Sequence, residues 1–279
     1  MFMSPSCDIN LNVVRALWAC TLLVQFLAMM MAVFYLVDVA RKYRGQYRKI
    51  IFGLVCLTEG VCMTTTCALR VSQPESMIIG TNVAISVLFG LGAFSFWIHV
   101  LLFTSNFVRL SINQARMKSE RARERIDDLE RRASRIFPVL ILLDAIACVM
   151  PVAMTAASSR TTVFILALIH YFFLAVLIGI LGIWLLPRIV KPLIADLEEA
   201  ASHLNGGSSE YANVFAQIAK KLKLFQTDVR TQALANFLFA ALFGGWPMLQ
   251  SFTSYWLPIA WSSAGFILLG SLHADRPVK

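Results

Sequence analysis

Apolar residues fall in seven long runs separated by shorter polar segments. The runs cover about 13–37, 50–69, 78–108, 136–157, 161–186, 233–250 and 255–272. A bilayer core about 30 Å thick is crossed by about 20 residues of predominantly apolar helix. The first five runs meet that length; the last two only just do, and Pro247 and Pro258 interrupt the turn they share. The pattern predicts an all-α fold: a polytopic membrane protein whose residues 1–272 form one bundle of seven transmembrane helices. A chain of six spans with a re-entrant final hairpin is the alternative. The first run is longer than the roughly 7–15 apolar residues of a signal peptide, and no small-x-small site follows it. It is expected to remain as the first span.

The polar segments have their own periodicity. Residues 109–135 include QARMKSERARERIDDLERRASR, which holds neither Gly nor Pro and predicts a basic cytosolic helix continuing from the third span. Asp127 with Arg131 and Asp128 with Arg132 are acid-before-base pairs at i, i+4, each worth a few tenths of a kcal/mol on a solvated helix. In segment 188–232, Ile189, Leu193, Ile194, Leu197, Ala201 and Leu204 recur at helical spacing and predict an amphipathic helix from Pro192. Asn205 to Ser209 breaks it. A second amphipathic stretch follows, with Val214, Phe215, Ile218, Leu222 and Phe225 on one side and Lys220, Lys221 and Lys223 beside them. Two such helices pack on each other, lie along the membrane surface or bind a partner. Residues 273–279 form a short tail.

Composition agrees with this reading. Hydrophobic residues make up 58% and charged residues 15% of the 279, with a mean hydropathy of +0.69. Soluble domains carry about 25% charged residues, so an ordinary soluble enzyme and a disordered chain are both excluded. The net charge of +9 would suggest nucleic acid in a soluble protein. Here it follows from sidedness, because 22 of the 25 Lys and Arg lie in alternate loops and the tail. Cytosolic loops carry the excess of Lys and Arg. The amino end is therefore expected outside and the carboxyl end in the cytosol, in a plasma membrane or endomembrane. The basic residues Arg116, Lys118, Arg121, Arg123, Arg125, Arg131, Arg132, Lys220, Lys221 and Lys223 are candidates for a surface that binds a cytosolic protein or anionic lipid. No nucleic-acid partner is expected.

Ionisable side chains at membrane depth are expensive and mark functional sites by default. Four are candidates: Glu59, His99, Asp144 and His170. Counting along the helices puts His99 and Asp144 at similar depth on sequence-adjacent spans, which predicts a His99–Asp144 hydrogen bond. Glu59 falls near mid-membrane and could share a polar cavity with His170. The four could relay protons or ions, with histidines titrating near neutrality, or simply join helices at about 0.6 kcal/mol per interhelical bond. No H-x-x-x-H, H-E-x-x-H or paired C-x-x-C spacing occurs, so no metal site is expected. The final span has no Lys for a retinal Schiff base. Neither a phosphate-binding loop nor a nucleophile elbow is present, so no cofactor and no enzymatic activity are expected.

The seven-run layout, the short outer loops and the long third cytosolic loop resemble the architecture of G-protein-coupled receptors. The motifs differ: span three ends SNFVRL instead of an acid-Arg-Tyr triplet, and the last span lacks Asn-Pro-x-x-Tyr. In size and layout the chain also resembles the tobamovirus multiplication protein-like family. That resemblance covers about residues 13–272 and includes the aromatic third span FGLGAFSFWIHVLLF. It implies a receptor-like or scaffold membrane protein without enzymatic activity, coupling a membrane or small-ligand signal to a cytosolic partner. The alternative is a transporter or channel with a polar intramembrane pathway.

Overall fold

The computed structural model describes residues 10–42, 46–73, 83–115, 120–157, 186–204, 209–243 and 250–275, together with 162, 165, 166 and 169. The described residues are helical, without strands. The elements are α1 (Leu11–Lys42), α2 (Tyr47–Ser72), α3 (Val83–Ala115), α4 (Glu120–Ala156), α5 (Leu186–Leu204), α6 (Ser209–Phe243) and α7 (Gln250–Asp275). Four of them contain segments long and apolar enough to cross a membrane: Leu11–Lys42, Tyr47–Ser72, Val83–Phe103 and Phe137–Ala156. These are the first four predicted spans. The fifth, 161–186, lies almost entirely outside the described residues. Of the sixth, 233–243 form the end of α6 and 244–249 lie outside the described residues; the seventh, 255–272, falls within α7.

Local chemistry sets the helix ends and faces. Asn10 caps α1, its Oδ1 accepting from the backbone N–H of Asn12 at 3.1 Å and Val13 at 3.3 Å, donors that otherwise lack intrahelical partners. Along α1 the buried positions are Val14, Trp18, Thr21, Gln25, Ala28, Ala32, Tyr35 and Val39, a strict alternation of four and three that makes one seam. The seam carries Thr21, Gln25 and Tyr35, whereas Leu23, Phe26, Leu27, Phe34 and Val37 are exposed. An apolar outside around a partly polar seam reverses the soluble pattern and suits a helix whose solvent is lipid. Three hydroxyls on α2 are satisfied within the helix: Thr58, Thr65 and Thr66 donate to the carbonyls of Leu54, Val61 and Cys62, as hydroxyls do when water is absent. The buried Thr64 hydroxyl has no partner among the described residues.

Contacts give helix directions. Arg15 Nε donates to Val71 O at 3.2 Å, Gly60 lies against Met29, and Gly53 against Tyr35 and Leu36, so α1 and α2 are antiparallel. Thr21 meets Pro258 and Ser262, Gln25 meets Trp261, and Tyr35 meets Asp275. Rising numbers on both helices mean that α1 and α7 run parallel. α3 is central, packing on α2, α4, α5 and α7, and the circuit closes through α5 on α6, α6 on α7 and α7 on α1.

Two expectations about the polar segments need correction. Only the start of the basic segment, 109–115, continues the third span. α3 ends at Ala115 and the charged stretch from Glu120 is the first part of α4, continuous with the fourth span. Like-charged residues favour neither neighbour, and no Gly or Pro marks the junction. The second amphipathic stretch is likewise no separate loop element, because α6 runs unbroken from Ser209 into the predicted sixth span. The first amphipathic helix begins at Leu186 and accommodates Pro192 in its second turn. Of the three fates predicted for the pair, packing on each other is observed, and both also join the main core through Val190, Ile194, Leu197, Leu222, Phe225 and Val229.

Candidate functional site

The polar centre of the described bundle lies where α2, α3 and α7 meet. Glu59 stands 12 residues into α2, a helix of 26 residues, so about 18 Å of helix separates it from the amino end. The buried positions of α2 include Phe52, Cys56, Glu59, Met63, Thr66 and Arg70. Their spacing aims Glu59 inward, toward α3. There His99 Nδ1 lies 2.6 Å from Glu59 Oε2, with both side chains fully buried. On the other side of the ring, His99 Nε2 lies 3.3 Å from Ser271 Oγ of α7. Ser271 also donates to Leu268 O at 3.0 Å. Phe52 and Phe96 meet the imidazole edge to face, at centroid distances of 6.3 and 5.5 Å.

The predicted His99–Asp144 hydrogen bond is absent: His99 pairs with Glu59. Both spans flanking α3 bear a carboxylate at reachable depth, and the rotation of α3 turns His99 toward α2. Asp144 is buried on α4 and accepts from Cys148 Sγ at 3.4 Å, one turn along the same helix. Beside this pair, α3 and α4 approach closely, with Gly90 against the Cys148 carbonyl. Two carboxylate oxygens, Glu59 Oε1 and Asp144 Oδ2, are buried without a hydrogen-bond partner among the described residues. His170 lies outside the described residues, so its sharing a cavity with Glu59 does too. Among the described residues no cluster of three or more His, Cys, Asp or Glu could hold a metal ion.

α7 is tied to its neighbours at three levels. At the level of Trp18, Thr21 Oγ1 donates to Pro258 O at 2.8 Å and Gln25 Nε2 to Trp261 O at 2.6 Å. There Trp261 stacks on Phe89 and meets Trp18 edge to face. The middle tie is Ser271 with His99. At the far end, Tyr35 OH donates to Asp275 Oδ2, Lys49 Nζ sits 3.6 Å from the same carboxylate, and Lys221 Nζ donates to His273 O at 3.4 Å. Phe52 touches Tyr35, His99 and Phe103, and Phe103 lies 4.2 Å from Phe225 of α6. The buried pair and the far-end ties therefore share one aromatic wall.

Of the predicted basic surface, Arg131, Lys220 and Lys223 are exposed and Lys221 is half-buried. Lys223 pairs with Glu198 of α5. Arg121, Arg123, Arg125 and Arg132 lie on α4, and Arg116 and Lys118 fall outside the described residues. Sequence reasoning missed Ser271, Tyr35, Lys49, Asp275, Thr21 and Gln25. Two signals were present: the four-residue spacing of Ser271 and Asp275 on one helical face, and the seam of α1 on which Thr21, Gln25 and Tyr35 all fall. Compared with known family models, curated proteins and solved structures, the chain matches none.

Proposed function

We propose that the chain is a seven-helix membrane protein, amino end outside and carboxyl end cytosolic, that couples a membrane or small-ligand signal to a cytosolic partner as a receptor-like or scaffold protein. The observation that carries this reading is the attachment of the lysine-bearing helices α5 and α6 to one end of the bundle. There Lys221 reaches the α7 backbone and Phe225 packs on Phe103. A change in the polar centre is thereby linked mechanically to a charged surface. The parallel course of α1 and α7 supports an odd number of crossings, since an even number would make the first and last spans antiparallel. The clustering of Lys and Arg supports the cytosolic assignment of the α5–α6 end. It is the role implied by the resemblance to tobamovirus multiplication protein-like proteins.

The partner surface is Arg116 to Arg132 together with Lys220, Lys221 and Lys223. Its test is binding to vesicles containing anionic lipid, alongside crosslinking to cytosolic proteins, with Arg131, Arg132, Lys220 and Lys223 all changed to Gln. At about 1 kcal/mol per basic residue near anionic headgroups, the variant is expected to lose at least about tenfold of one of these interactions while remaining folded. Unchanged lipid binding and unchanged crosslinks would refute the proposed surface.

A transporter or channel is the second reading, favoured by the buried oxygens Glu59 Oε1 and Asp144 Oδ2, which are free to exchange protons or meet a cation. Ion and proton flux across liposomes distinguishes the two. The receptor-like reading expects no flux from folded protein. Flux that disappears in Glu59→Gln/Asp144→Asn would establish transport in its place.

A further inference from the structure

We propose that the Glu59–His99 pair is a proton-binding site and that Ser271 couples its occupancy to the position of α7. The inference goes beyond both readings above, because it concerns how a bound proton is felt by the helices, whether or not the protein conducts.

The argument begins with charge neutrality. An isolated charge in an apolar interior is strongly disfavoured, so the pair is stable when it holds one ionisable proton between its two members and carries no net charge. Two arrangements satisfy this with the acidic hydrogen in a hydrogen bond; a third, with the proton on Glu59 Oε1, leaves that O–H buried without an acceptor among the described residues and is disfavoured. In one, Glu59 is a carboxylate and His99 an imidazolium, which carries a hydrogen on each ring nitrogen. In the other, Glu59 is a neutral acid donating from Oε2 to Nδ1, and neutral His99 then carries its only hydrogen on Nε2. Both therefore place a hydrogen on Nε2, the atom facing Ser271 at 3.3 Å. Loss of one proton to solvent leaves a carboxylate and a neutral imidazole. The 2.6 Å contact then requires the remaining hydrogen on Nδ1, between the ring and the carboxylate, and Nε2 becomes bare.

Ser271 reads this difference because it has one hydrogen and two neighbours. With Nε2 protonated, the ring donates to Ser271 Oγ and the hydroxyl donates to Leu268 O at 3.0 Å, a continuous chain from α2 through α3 into the α7 backbone. With Nε2 bare, the hydroxyl serves either the ring or Leu268, and one bond is lost. The affected turn of α7 also contains His273, whose carbonyl accepts from Lys221 of α6, and Asp275, which is tied to Tyr35 and Lys49. The proton thus strengthens the middle tie of α7, within about one helical turn of the contacts that join α7 to α6.

The groups facing His99 leave this pairing intact. Among the described residues, Glu59 and Ser271 meet the ring directly, and Cys56 and Cys62 of α2 lie within electrostatic reach of Glu59. Asp144 and Cys148 are the titratable groups on the membrane-depth part of α4. α5 presents apolar Val190, Ile194 and Leu197. Asp144 is engaged with Cys148, and Asp275 with Tyr35 and Lys49.

The test uses the full chain in lipid nanodiscs with ¹⁵N-labelled histidine. The chain has 4 histidines, and the His99 signals are identified by their loss in His99→Gln. Imidazole ¹⁵N shifts are followed from about pH 5 to about pH 10. Near neutrality Nε2 of His99 is expected to bear hydrogen, and to lose it as the pair gives up its proton. Removing a hydrogen bond specific to the proton-bound form must weaken proton binding by the same linkage. Ser271→Ala should accordingly move the midpoint to lower pH, by about two- to tenfold in proton affinity. Glu59→Gln should abolish the shared titration. A bare Nε2 near neutrality overturns the proposal on the unaltered chain alone, so the decision does not depend on a variant folding. A midpoint unchanged in folded Ser271→Ala overturns the coupling. Neither result bears on the charged surface or on flux, which their own assays decide.

Discussion

Replacing His99 with leucine is expected to destabilise the protein by about 3–5 kcal/mol. Glu59 and His99 are both fully buried and 2.6 Å apart. Without the imidazole, Glu59 Oε2 joins Oε1 in having no partner among the described residues, and a buried carboxyl group faces the space the imidazole filled between the rings of Phe52 and Phe96. Breaking a buried pair from one side is costly because the partner stays desolvated and uncompensated. The converse also follows. Glu59→Leu/His99→Leu removes both polar groups and should recover most of the loss, leaving mainly the Ser271 tie broken. The fraction folded after heating in detergent, for both single variants and the double variant, measures the coupling directly. Singles that melt with the unaltered protein would show that the pair contributes nothing to cohesion.

Gly90→Val is expected to cost about 1–3 kcal/mol by forcing α3 and α4 apart. A Cβ at Gly90 would fall well inside van der Waals contact of the Cys148 carbonyl oxygen. That atom is helix backbone, so no side-chain rotation relieves the clash and α4 itself must move. The displacement would disturb Asp144, whose side chain accepts from Cys148. Gly270→Ala is the matched comparison, since nothing lies within 4 Å of its Cβ position and alanine favours helix by about 0.8–1 kcal/mol over glycine. It should melt at or above the temperature of the unaltered protein, while Gly90→Val melts well below it. Equal melting of the two would mean that α3 and α4 are not in firm contact at this crossing.

What the sequence revealed and what it hid follow from the kinds of force involved. The first four spans were legible because crossing a bilayer demands about 20 consecutive apolar residues, a constraint visible without any knowledge of neighbours. Glu59, His99 and Asp144 stood out for the same reason, and all three are buried. Which partner His99 takes was not legible. Hydropathy reports depth, and pairing depends on helix rotation; α2 and α4 both flank α3 and both carry a carboxylate. Ser271 was invisible because a serine in an apolar helix is ordinary, being able to satisfy its hydroxyl on its own backbone, as it does on Leu268. The division of the segment between α3 and α4 was missed because residues 109–135 contain no breaker. Of the apolar stripes predicted on α5 and α6, Ile194, Leu197, Ala201, Leu222 and Phe225 are buried, but a stripe does not say which surface covers it.

The bonds between α1 and α7 also bear on how the chain is made. Thr21 and Gln25 find their acceptors at Pro258 and Trp261, separated from them by 237 and 236 residues. A ribosome delivers α1 to the bilayer long before those carbonyls exist. Through most of synthesis the Gln25 amide must find water, lipid headgroups or a chaperone, since hydrocarbon offers it nothing. The circuit of helices closes only when α7 arrives and takes up that amide. A chain truncated before Pro258 would keep the Gln25 amide N–H, as well as its carbonyl oxygen, without a partner from α7 in the middle of its first span. The N–H is the chemical mark by which an unfinished protein differs from a finished one.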